Sequence, residues 1–459
     1  MHLTRKTCIA LILVLSLISS CQNLAQGEHP LPTDSLTGGQ SVVDSEMTAE
    51  QEAQVFSDWI REHHEPIRSL TAEATDDLDF LEPYLRGKRL VQLGEMAHGV
   101  AELNALRTRL IKYLHEVLGY DVIAFESSVF ECAYLETSDL SARDKLLASL
   151  FGVWHTEEVL ALFEYVQSTQ TTDRPLHLVG FDVQISSLST AAALRPQFLK
   201  DVVSKIDVDY GNRVFELDTE VLNGIAASAA DGSYWDEHGP GMVAEYEALV
   251  TFLDAHMETL LAQFPETPQL PLLARQTAWS MARYVQALQA DDFASYLAIR
   301  DQSMADNVDF ILDRLYPGAK VVLWAHNAHI RYANEKVVGN AAWQGQKTMG
   351  AWIAERHPGE VYAIGGYAYS GQVAQNDQQV IEIPAAMPGS LESILHQAGE
   401  EILFVDFSRQ VQEAGNGWMF REIPAHEFAG VLAPLKMVPR DQYDAVLFIE
   451  KVTPPRYLY

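Results

Sequence analysis

Hydrophobic and polar positions follow two alternating patterns along most of the chain. Short runs of consecutive apolar residues are separated by longer stretches in which apolar residues recur with helical spacing. The runs that predict strands lie at residues 89–93, 122–125, 176–181, 321–325, 361–364, 402–407 and 445–449. Short, continuously apolar strands that alternate with helices are typical of a parallel or mixed sheet covered by helices on both faces. The sequence therefore predicts an α/β fold.

The helical segments divide this fold into a sheet region and an insertion. Thr48-Ala49-Glu50-Gln51 has the pattern of a capping box and marks the start of the folded part. Residues 101–118 have helical spacing, and Gly119 is placed to end that helix. Between about residues 190 and 318 the pattern is almost entirely helical. We therefore expect one catalytic domain over residues 48–459, with a helical subdomain inserted at about 190–318.

The first residues have the pattern of an export signal. Arg5 and Lys6 precede an apolar run over residues 9–18, and residues 17–21 read Leu-Ile-Ser-Ser-Cys. A basic start, a short apolar run and small residues are typical of a secretory signal, and the run is shorter than the ~20 residues that a membrane-spanning helix needs. Residues 17–21 also resemble a bacterial lipobox, in which the cysteine is lipidated and becomes the new N-terminus.

These features predict a lipoprotein signal peptide over residues 1–20 and lipidation of Cys21. Residues 21–47 contain several glycines and prolines and few apolar residues, which is the composition of a flexible tether. We therefore expect an exported protein that is anchored by lipid to the cell envelope, at the outer membrane, the periplasm or the cell surface. A plain signal peptide with an incidental cysteine is the alternative.

Composition and charge restrict the class of protein further. Acidic residues outnumber basic ones by 63 to 32, giving a net charge of −31, which argues against nucleic acid as a partner. Hydrophobic residues make up 48% of the chain, enough to form a core and to exclude wholesale disorder. The 3 cysteines are too few for a disulfide framework.

Ionisable side chains recur where the predicted strands end. Ligands bind to open α/β sheets in the crevice at the carboxyl ends of the strands. A single ionisable residue at such a place is usually a cap or part of a turn, but here four strand ends carry them. Glu95 and His98 follow the run at 89–93, and Glu126 follows the run at 122–125. Asp182 follows the run at 176–181, and His326 and His329 follow the run at 321–325. The sequence therefore predicts that these side chains share one crevice.

Arg107 adds a second indication of a polar site. It lies four residues after Leu103 and three before Leu110, so it points into the apolar stripe of the helix over residues 101–118. A buried arginine needs a carboxylate or several acceptors. Either Glu95 or Glu126 could be its partner, and the alternative is an arginine that reaches past the helix edge to water.

Several common catalytic motifs are absent from the sequence. It has no G-x-S-x-G nucleophile elbow, no H-E-x-x-H motif and no Walker A loop. The run His326-Asn327-Ala328-His329 together with two glutamates has the composition of a zinc site. His98 and the two glutamates nevertheless suffice to activate water, so we expect neither a metal nor another cofactor.

The motifs at the strand ends resemble those of a known family. The matching segments are Gly94-Glu95-Met96-Ala97-His98-Gly99, Arg107, Phe125-Glu126, Gly180-Phe181-Asp182, Arg300 to Asn307, and Trp324-Ala325-His326-Asn327-Ala328-His329. In this order and spacing they resemble the erythromycin esterase family. The resemblance implies hydrolysis of a macrolide lactone ring, and with it antibiotic resistance, by a histidine that activates water without a metal.

The resemblance also implies roles for individual residues. His98 corresponds to the general base, Glu95, Glu126 and Arg107 to a polar framework, and His326 and His329 to a second histidine motif. We assign these six residues to catalysis, and we assign Asp182, Trp154 and Trp324 to binding of a small-molecule ester or lactone. Two alternatives stay open: a metal-dependent hydrolase that uses the same crevice, and a catalytically silent surface lipoprotein that binds a ligand.

The lipobox generates a prediction about location. Cys21→Ala removes the thiol that would be lipidated, so the protein should be released from membranes in a soluble form. Fractionation of cells that express the wild type and the variant, followed by gel mobility, measures this. A variant that stays in the membrane fraction with unchanged mobility would show that Cys21 is not the anchor.

Overall fold

The computed structural model describes residues 47–459 apart from residues 137, 186–188, 229–232, 340–342, 344 and 429–431. The predicted signal peptide, Cys21 and all of the predicted tether except its last residue lie outside the described residues. Met47, that last residue, is exposed and belongs to no helix or strand. In the part of the chain that is described, no helix is both long and apolar enough to cross a membrane.

Strands form one large sheet and one separate hairpin. The strands are β1 Glu65–Pro66, β2 Leu90–Leu93, β3 Val122–Ser128, β4 His177–Asp182, β5 Val321–Trp324, β6 Val361–Ala374, β7 Val380–Ile383, β8 Ile402–Asp406, β9 Ile423–Phe428, β10 Leu432–Met437 and β11 Ala445–Val452. The described residues place nine of them in the large sheet, whereas β9 and β10 pair only with each other. The seven runs that the sequence predicts correspond to seven of the nine, β1 and β7 being additional.

The order of the strands brings the predicted strand ends together. The large sheet runs β1-β8-β11-β6-β2-β5-β3-β4, and β7 pairs with β6. From β11 to β4 all neighbours are parallel, whereas β8 is antiparallel to β1 and β11, and β7 is antiparallel to β6. The predicted α/β fold is confirmed, and the sheet is mixed. Because β2, β5, β3 and β4 are parallel neighbours, their carboxyl ends lie along one edge.

Helices cover both faces of this sheet. They are α1 Ala49–Glu62, α2 Leu81–Leu85, α3 Ala101–Glu116, α4 Val129–Glu136, α5 Ala142–Ser149, α6 Glu157–Thr169, α7 Arg195–Val203, α8 Val208–Ser228, α9 Tyr234–Gln263, α10 Gln269–Leu288, α11 Phe293–Phe310, α12 Asn327–Ile330, α13 Met349–Arg356, α14 Leu391–His396 and α15 Pro439–Gln442. The Thr48 side chain caps α1 in the predicted capping box. Gly119 follows α3 with φ +75°, a conformation that favours glycine and prevents the helix from continuing.

The central strands are buried on both faces, as their continuous apolar runs predict. Every residue of β2 is buried, and side chains along it alternate between two hydrophobic cores. Val91 and Leu93 pack in the core that contains the apolar stripe of α3, whereas Leu90 packs in the core that contains Met304 and Val308 of α11. This alternation is the period of two that a strand imposes on its side chains.

Between β4 and β5 the described chain is helical and has a core of its own. Leu249 and Leu253 of α9 pack there with Leu273 of α10. Helix α11 lies outside this core and packs against the sheet, where Asn307 donates to the carbonyl of Phe181 at 2.9 Å. The Asn307 side-chain oxygen accepts from Gln276 of α10 at 2.6 Å. Helix α11 is thereby tied to both β4 and the helical segment.

The loops that follow the central strands are hydrogen-bonded to one another. The Asn327 side chain, just beyond β5, donates to the Gly366 carbonyl at 2.9 Å and accepts from the Gly366 N–H at 3.0 Å. A Cβ at Gly94, just beyond β2, would lie 2.2 Å from the Asn327 side-chain oxygen, so only glycine fits there. These contacts fix the ends of β2, β5 and β6 relative to one another.

Candidate active site

The six ionisable residues predicted from the strand ends lie at one edge of the sheet. Glu95 and His98 follow β2, Glu126 lies in the last part of β3, and Asp182 is the last residue of β4. His326 and His329 follow β5 on and next to the short helix α12. Three further charged residues reach the same edge from helices: Arg107 from α3, and Arg300 and Asp301 from α11.

His98, Glu95 and Arg107 form the first half of the site. His98 Nδ1 lies 2.6 Å from Glu95 Oε1, and Arg107 Nη2 donates to Glu95 Oε2. Trp154 Nε1 donates to Glu95 Oε1 at 3.3 Å, and the Arg107 guanidinium lies 3.7 Å from the centroid of the Trp324 ring. Of the two partners that the sequence leaves open for Arg107, the structure selects Glu95. Both side chains are fully buried, so each needs the other's charge.

The contact with Glu95 fixes the tautomer of His98. A carboxylate can only accept, so the hydrogen lies on Nδ1 and Nε2 keeps its lone pair. Among the described residues no protein group is hydrogen-bonded to Nε2, and the side chain is 19% exposed. Burial lowers the pKa of His98 to about 4, although the charge of Glu126 acts in the opposite direction. His98 is therefore a neutral imidazole with an available lone pair at pH 7.

Glu126 is the centre of the second half of the site. Its Oε1 accepts from Arg300 Nη2 at 2.8 Å and lies 3.1 Å from His329 Nε2, while its Oε2 accepts from the backbone N–H of His326 at 2.9 Å. Burial alone would raise the pKa of Glu126, but His329 and Arg300 outweigh it and hold the pKa well below the ordinary value. Glu126 is thus an ionised acceptor with both oxygens occupied.

Arg300 joins the ends of β3 and β4. Its Nε lies 3.1 Å from each oxygen of Asp182, and its Nη2 donates to Asp182 Oδ2 at 2.5 Å. The same Nη2 reaches Glu126, so one guanidinium neutralises carboxylates on two strands. The Arg300 side chain is 11% exposed, which leaves part of this cation accessible from outside.

His329 is held between two carboxylates. Its Nδ1 lies 2.9 Å from Asp301 Oδ1, and its Nε2 faces Glu126. Burial opposes protonation, but Asp301 and Glu126 together raise the pKa of His329 to about 9. His329 is therefore an imidazolium at pH 7, with both N–H groups directed at carboxylates.

His326 is held by backbone groups. Its Nε2 lies 3.1 Å from the carbonyl of Met96, and its Nδ1 accepts from the N–H of Ala328 at 3.1 Å. Burial lowers the pKa of His326 to about 4, with a further contribution from His98. The neutral ring lies 5.4 Å from that of His98, centroid to centroid. Its only lone pair is used by the backbone, so His326 is not placed to take a proton from water.

The three residues assigned to substrate binding are placed differently from what the sequence suggests. Asp182 is buried with its carboxylate on Arg300, and Trp324 is fully buried beneath Arg107. Trp154 is also buried, with its ring 4.9 Å from that of His98 and its N–H on Glu95. The Asp182 carboxylate and the Trp154 N–H are already occupied by protein groups, which argues against direct contact between these groups and substrate. Each of them instead holds a charged or basic residue of the site in position.

Sequence reasoning assigned no role to Arg300 and Asp301, although their segment contributes to the family resemblance. The signal that could have identified Arg300 is the one that identified Arg107. Arg300 lies three residues after Leu297 and four before Met304, so it interrupts a buried helical stripe. A charged residue in such a stripe needs a buried partner of opposite charge.

The arrangement of donor atoms bears on the metal alternative. Within the described ranges, no group of three or more His, Cys, Asp and Glu side chains is arranged to hold a metal ion. The nitrogens of His326 face backbone groups, and those of His329 face carboxylates. The residues that gave the sequence the composition of a zinc site are thus engaged with other protein groups.

Comparison with known proteins identifies the family. The sequence model of the erythromycin esterase family matches residues 115–452. The "Putative hydrolase YbfO" of Bacillus subtilis (strain 168) is 33% identical over 431 residues, covering 88% of this chain and 93% of that protein. Erythromycin esterase type I of Escherichia coli is 25% identical over 304 residues, covering 61% of this chain and 70% of that enzyme. The chain belongs to the erythromycin esterase family, and its relatives are named as hydrolases.

Solved structures share the fold. A succinoglycan biosynthesis protein has a TM-score of 0.74 at 18% identity, covering 90% of this chain and 100% of its own. A Bacillus cereus protein has a TM-score of 0.74 at 19% identity, covering 89% and 99%. A histidine-to-asparagine variant of the erythromycin esterase EreC, in its open conformation, has a TM-score of 0.64 at 20% identity, covering 86% and 99%. At these identities the similarity establishes the fold and not the substrate.

The buried pair of Arg107 and Glu95 generates a stability prediction. Arg107→Leu leaves the Glu95 carboxylate buried without its cation, which should lower the free energy of unfolding by about 3–5 kcal/mol. Adding Glu95→Gln removes that charge. The loss in free energy of unfolding of the double variant should therefore be smaller than the sum of the two single losses, by about 1 kcal/mol or more. Urea unfolding of the four proteins measures this coupling.

The same cycle with Glu126→Gln is the control. Glu126 has its own partners in Arg300 and His329, so its coupling to Arg107 should be the smaller of the two. Equal couplings, or additive losses for Arg107 and Glu95, would contradict the pairing.

Proposed function

We propose that this protein hydrolyses an ester or macrolactone bond with a water molecule that His98 activates, without a metal ion. The observation that carries the proposal is the hydrogen bond from His98 Nδ1 to Glu95, which leaves Nε2 unprotonated on a side chain that is 19% exposed. An oriented, neutral imidazole backed by a carboxylate is the arrangement in which histidine acts as a general base. Family membership and the names of the relatives support hydrolysis.

The proposed reaction has two proton transfers. His98 Nε2 takes a proton from water as the water oxygen bonds to the ester carbonyl carbon, and the carbonyl electrons move onto its oxygen. The tetrahedral intermediate collapses with cleavage of the bond to the alcohol oxygen, which receives the proton from the imidazolium. The products are a carboxylic acid and an alcohol, joined in one molecule if the substrate is a lactone. Glu95, at 2.6 Å, stabilises the transient imidazolium.

Arg300 is the cation that we propose for the developing oxyanion. Arg107 is fully buried on Glu95, whereas Arg300 keeps an accessible fraction next to the second half of the site. A preorganised cation directed at a developing negative charge lowers the barrier most effectively where water is excluded. His329, held protonated between Asp301 and Glu126, adds positive charge behind Arg300. Its Nε2 lies 3.2 Å from Arg300 Nη1.

The cellular location that we propose is the cell envelope, with the protein anchored through lipid on Cys21. This part of the proposal rests on residues 1–21 alone and is independent of the catalytic site. A substrate met there would be a small ester or lactone that is present outside the cytoplasm.

Mass spectrometry of a substrate panel tests the reaction. The purified protein is incubated with macrolides, simpler lactones and small esters, with and without a chelator, in normal and ¹⁸O-labelled water. We expect each lactone to gain one water, each ester to give an acid and an alcohol that together contain one added water, the label to appear in the carboxylate, and the chelator to have no effect. No gain of water on any member would contradict the proposed function, and activity restored only by zinc would favour the metal-dependent alternative.

His98→Asn is the variant that tests the general base. It removes the basic nitrogen and keeps a polar side chain, so kcat should fall by about 10²–10⁴-fold while the protein stays folded. His357→Asn is the matched control, because His357 lies beyond the end of α13 and contacts Asp309 instead of the site. Steady-state rates and thermal unfolding measure the two effects. Unchanged kcat in His98→Asn, or an acyl-enzyme detected by mass, would contradict the mechanism.

The two shifted histidines predict the pH dependence of kcat/KM. His98 must be neutral to act as a base, and its pKa is lowered to about 4, so activity should be lost as the pH falls through about 4. His329 must keep its proton to supply positive charge, and its pKa is raised to about 9, so activity should be lost as the pH rises through about 9. A profile of kcat/KM that is flat from pH 5.5 to 7.5 is expected, with folding checked by circular dichroism. An acid limb near 6.5 would show that burial does not shift His98.

A further inference from the structure

Tyr296 is a buried residue beside the site that the proposed reaction leaves without a role. It lies on α11 four residues before Arg300, so the two side chains occupy the same face of the helix, one turn apart. The residue is only 3% exposed. Among the described residues, its hydroxyl has no hydrogen-bond partner.

Apolar and aromatic side chains pack around the Tyr296 ring. It belongs to a small hydrophobic cluster with Ala328, the residue before His329, and with Trp343. The Trp343 ring in turn lies 4.9 Å from that of His329, and Phe293 stacks on Tyr296 at 6.0 Å, centroid to centroid. The ring therefore packs against the second half of the site.

The charges of the site act on this hydroxyl. Burial raises the pKa of Tyr296, Arg300 acts in the opposite direction, and Asp182, Asp301 and Glu126 raise it further. The hydroxyl thus keeps its proton in the neutral range and is available as a hydrogen-bond donor. Other buried tyrosines use this donor within the protein: Tyr120 donates to the Lys88 carbonyl at 3.0 Å, and Tyr362 donates to Asp406 at 2.7 Å.

An unused buried donor costs stability, because the group loses its water without gaining a partner. Such a group is expected where a ligand supplies the acceptor. The acceptor that the proposed reaction brings close to Arg300 is the carbonyl oxygen of the ester.

We propose that Tyr296 is a further catalytic residue, whose hydroxyl donates a hydrogen bond to the substrate carbonyl oxygen next to Arg300 and strengthens that bond as the oxygen becomes negative. This inference rests on the proposed function, and it adds a neutral donor to the cation at the oxyanion. The tyrosine keeps its proton throughout, so the proton transfers assigned to His98 are unchanged.

Tyr296→Phe removes only the hydroxyl and is expected to separate activity from stability. Loss of one oxyanion donor should lower kcat by about 10²–10³-fold. The midpoint of thermal unfolding should stay the same or rise, because the removed group has no partner. Tyr120→Phe is the matched control, because it removes a hydroxyl that donates to the Lys88 carbonyl at the other edge of the sheet. It should show the opposite pattern, a lower midpoint with unchanged kcat.

Binding of an analogue of the tetrahedral intermediate separates this inference from the proposed function. The probe is the monoethyl ester of benzylphosphonic acid, whose tetrahedral anion resembles the reaction intermediate, and calorimetry measures its affinity without turnover. Tyr296→Phe should weaken binding by at least about tenfold, as expected for a lost hydrogen bond to a charged group.

The outcomes distinguish the role of Tyr296 from the proposed function. A wild type that hydrolyses esters, with Tyr296→Phe retaining its kcat or its affinity for the probe, overturns the role of Tyr296 and leaves the proposed function intact. Weaker binding in the variant supports the role of Tyr296 even if the substrate panel is not hydrolysed. A wild type that neither hydrolyses the panel nor binds the probe overturns both. A variant destabilised as much as Tyr120→Phe shows a structural partner for the hydroxyl and overturns the inference.

Discussion

The requirement that buried charges be paired determines how the sheet and the helical segment fit together. Glu126 lies near the end of β3 and Asp182 ends the neighbouring strand β4; both are almost completely buried, and both are neutralised by Arg300 of α11. A carboxylate buried without a partner would cost several kcal/mol, so the helix cannot move away from the strand ends without exposing or protonating them. The position of α11, and through it that of the helices packed on it, therefore depends on this one guanidinium.

The same requirement gives three neighbouring histidines different protonation states. His98 and His326 are buried without a carboxylate that outweighs desolvation, and their pKa values fall to about 4. His329 lies between Asp301 and Glu126, and its pKa rises to about 9. One site thus contains an imidazole that can accept a proton and an imidazolium that supplies positive charge, which is the division that the proposed hydrolysis needs.

Some residues of the site could be predicted from the sequence, because their positions follow from the local pattern of apolar and polar residues. Continuous apolar runs identify buried parallel strands, and residues that follow such strands must lie at their carboxyl edge, which is how Glu95, His98 and Glu126 could be found. The buried position of Arg107 could be recognised from helical spacing alone. Its partner could not, because Glu95 and Glu126 are both at strand ends and only the packing of α3 shows which one it reaches.

The sequence by itself thus determined the α/β class, the central strands, the helical character of the segment between β4 and β5, and the set of residues at the strand ends. Each of these follows from periodicity, which acts over a few residues. Only the tertiary structure decided the strand order, the edge strands β1 and β7, the pairing of Arg107 with Glu95, and the burial of Asp182 and Trp324. Those features depend on contacts between residues far apart in the chain, such as Arg300 with Asp182, and no local spacing encodes which distant charge will be the partner.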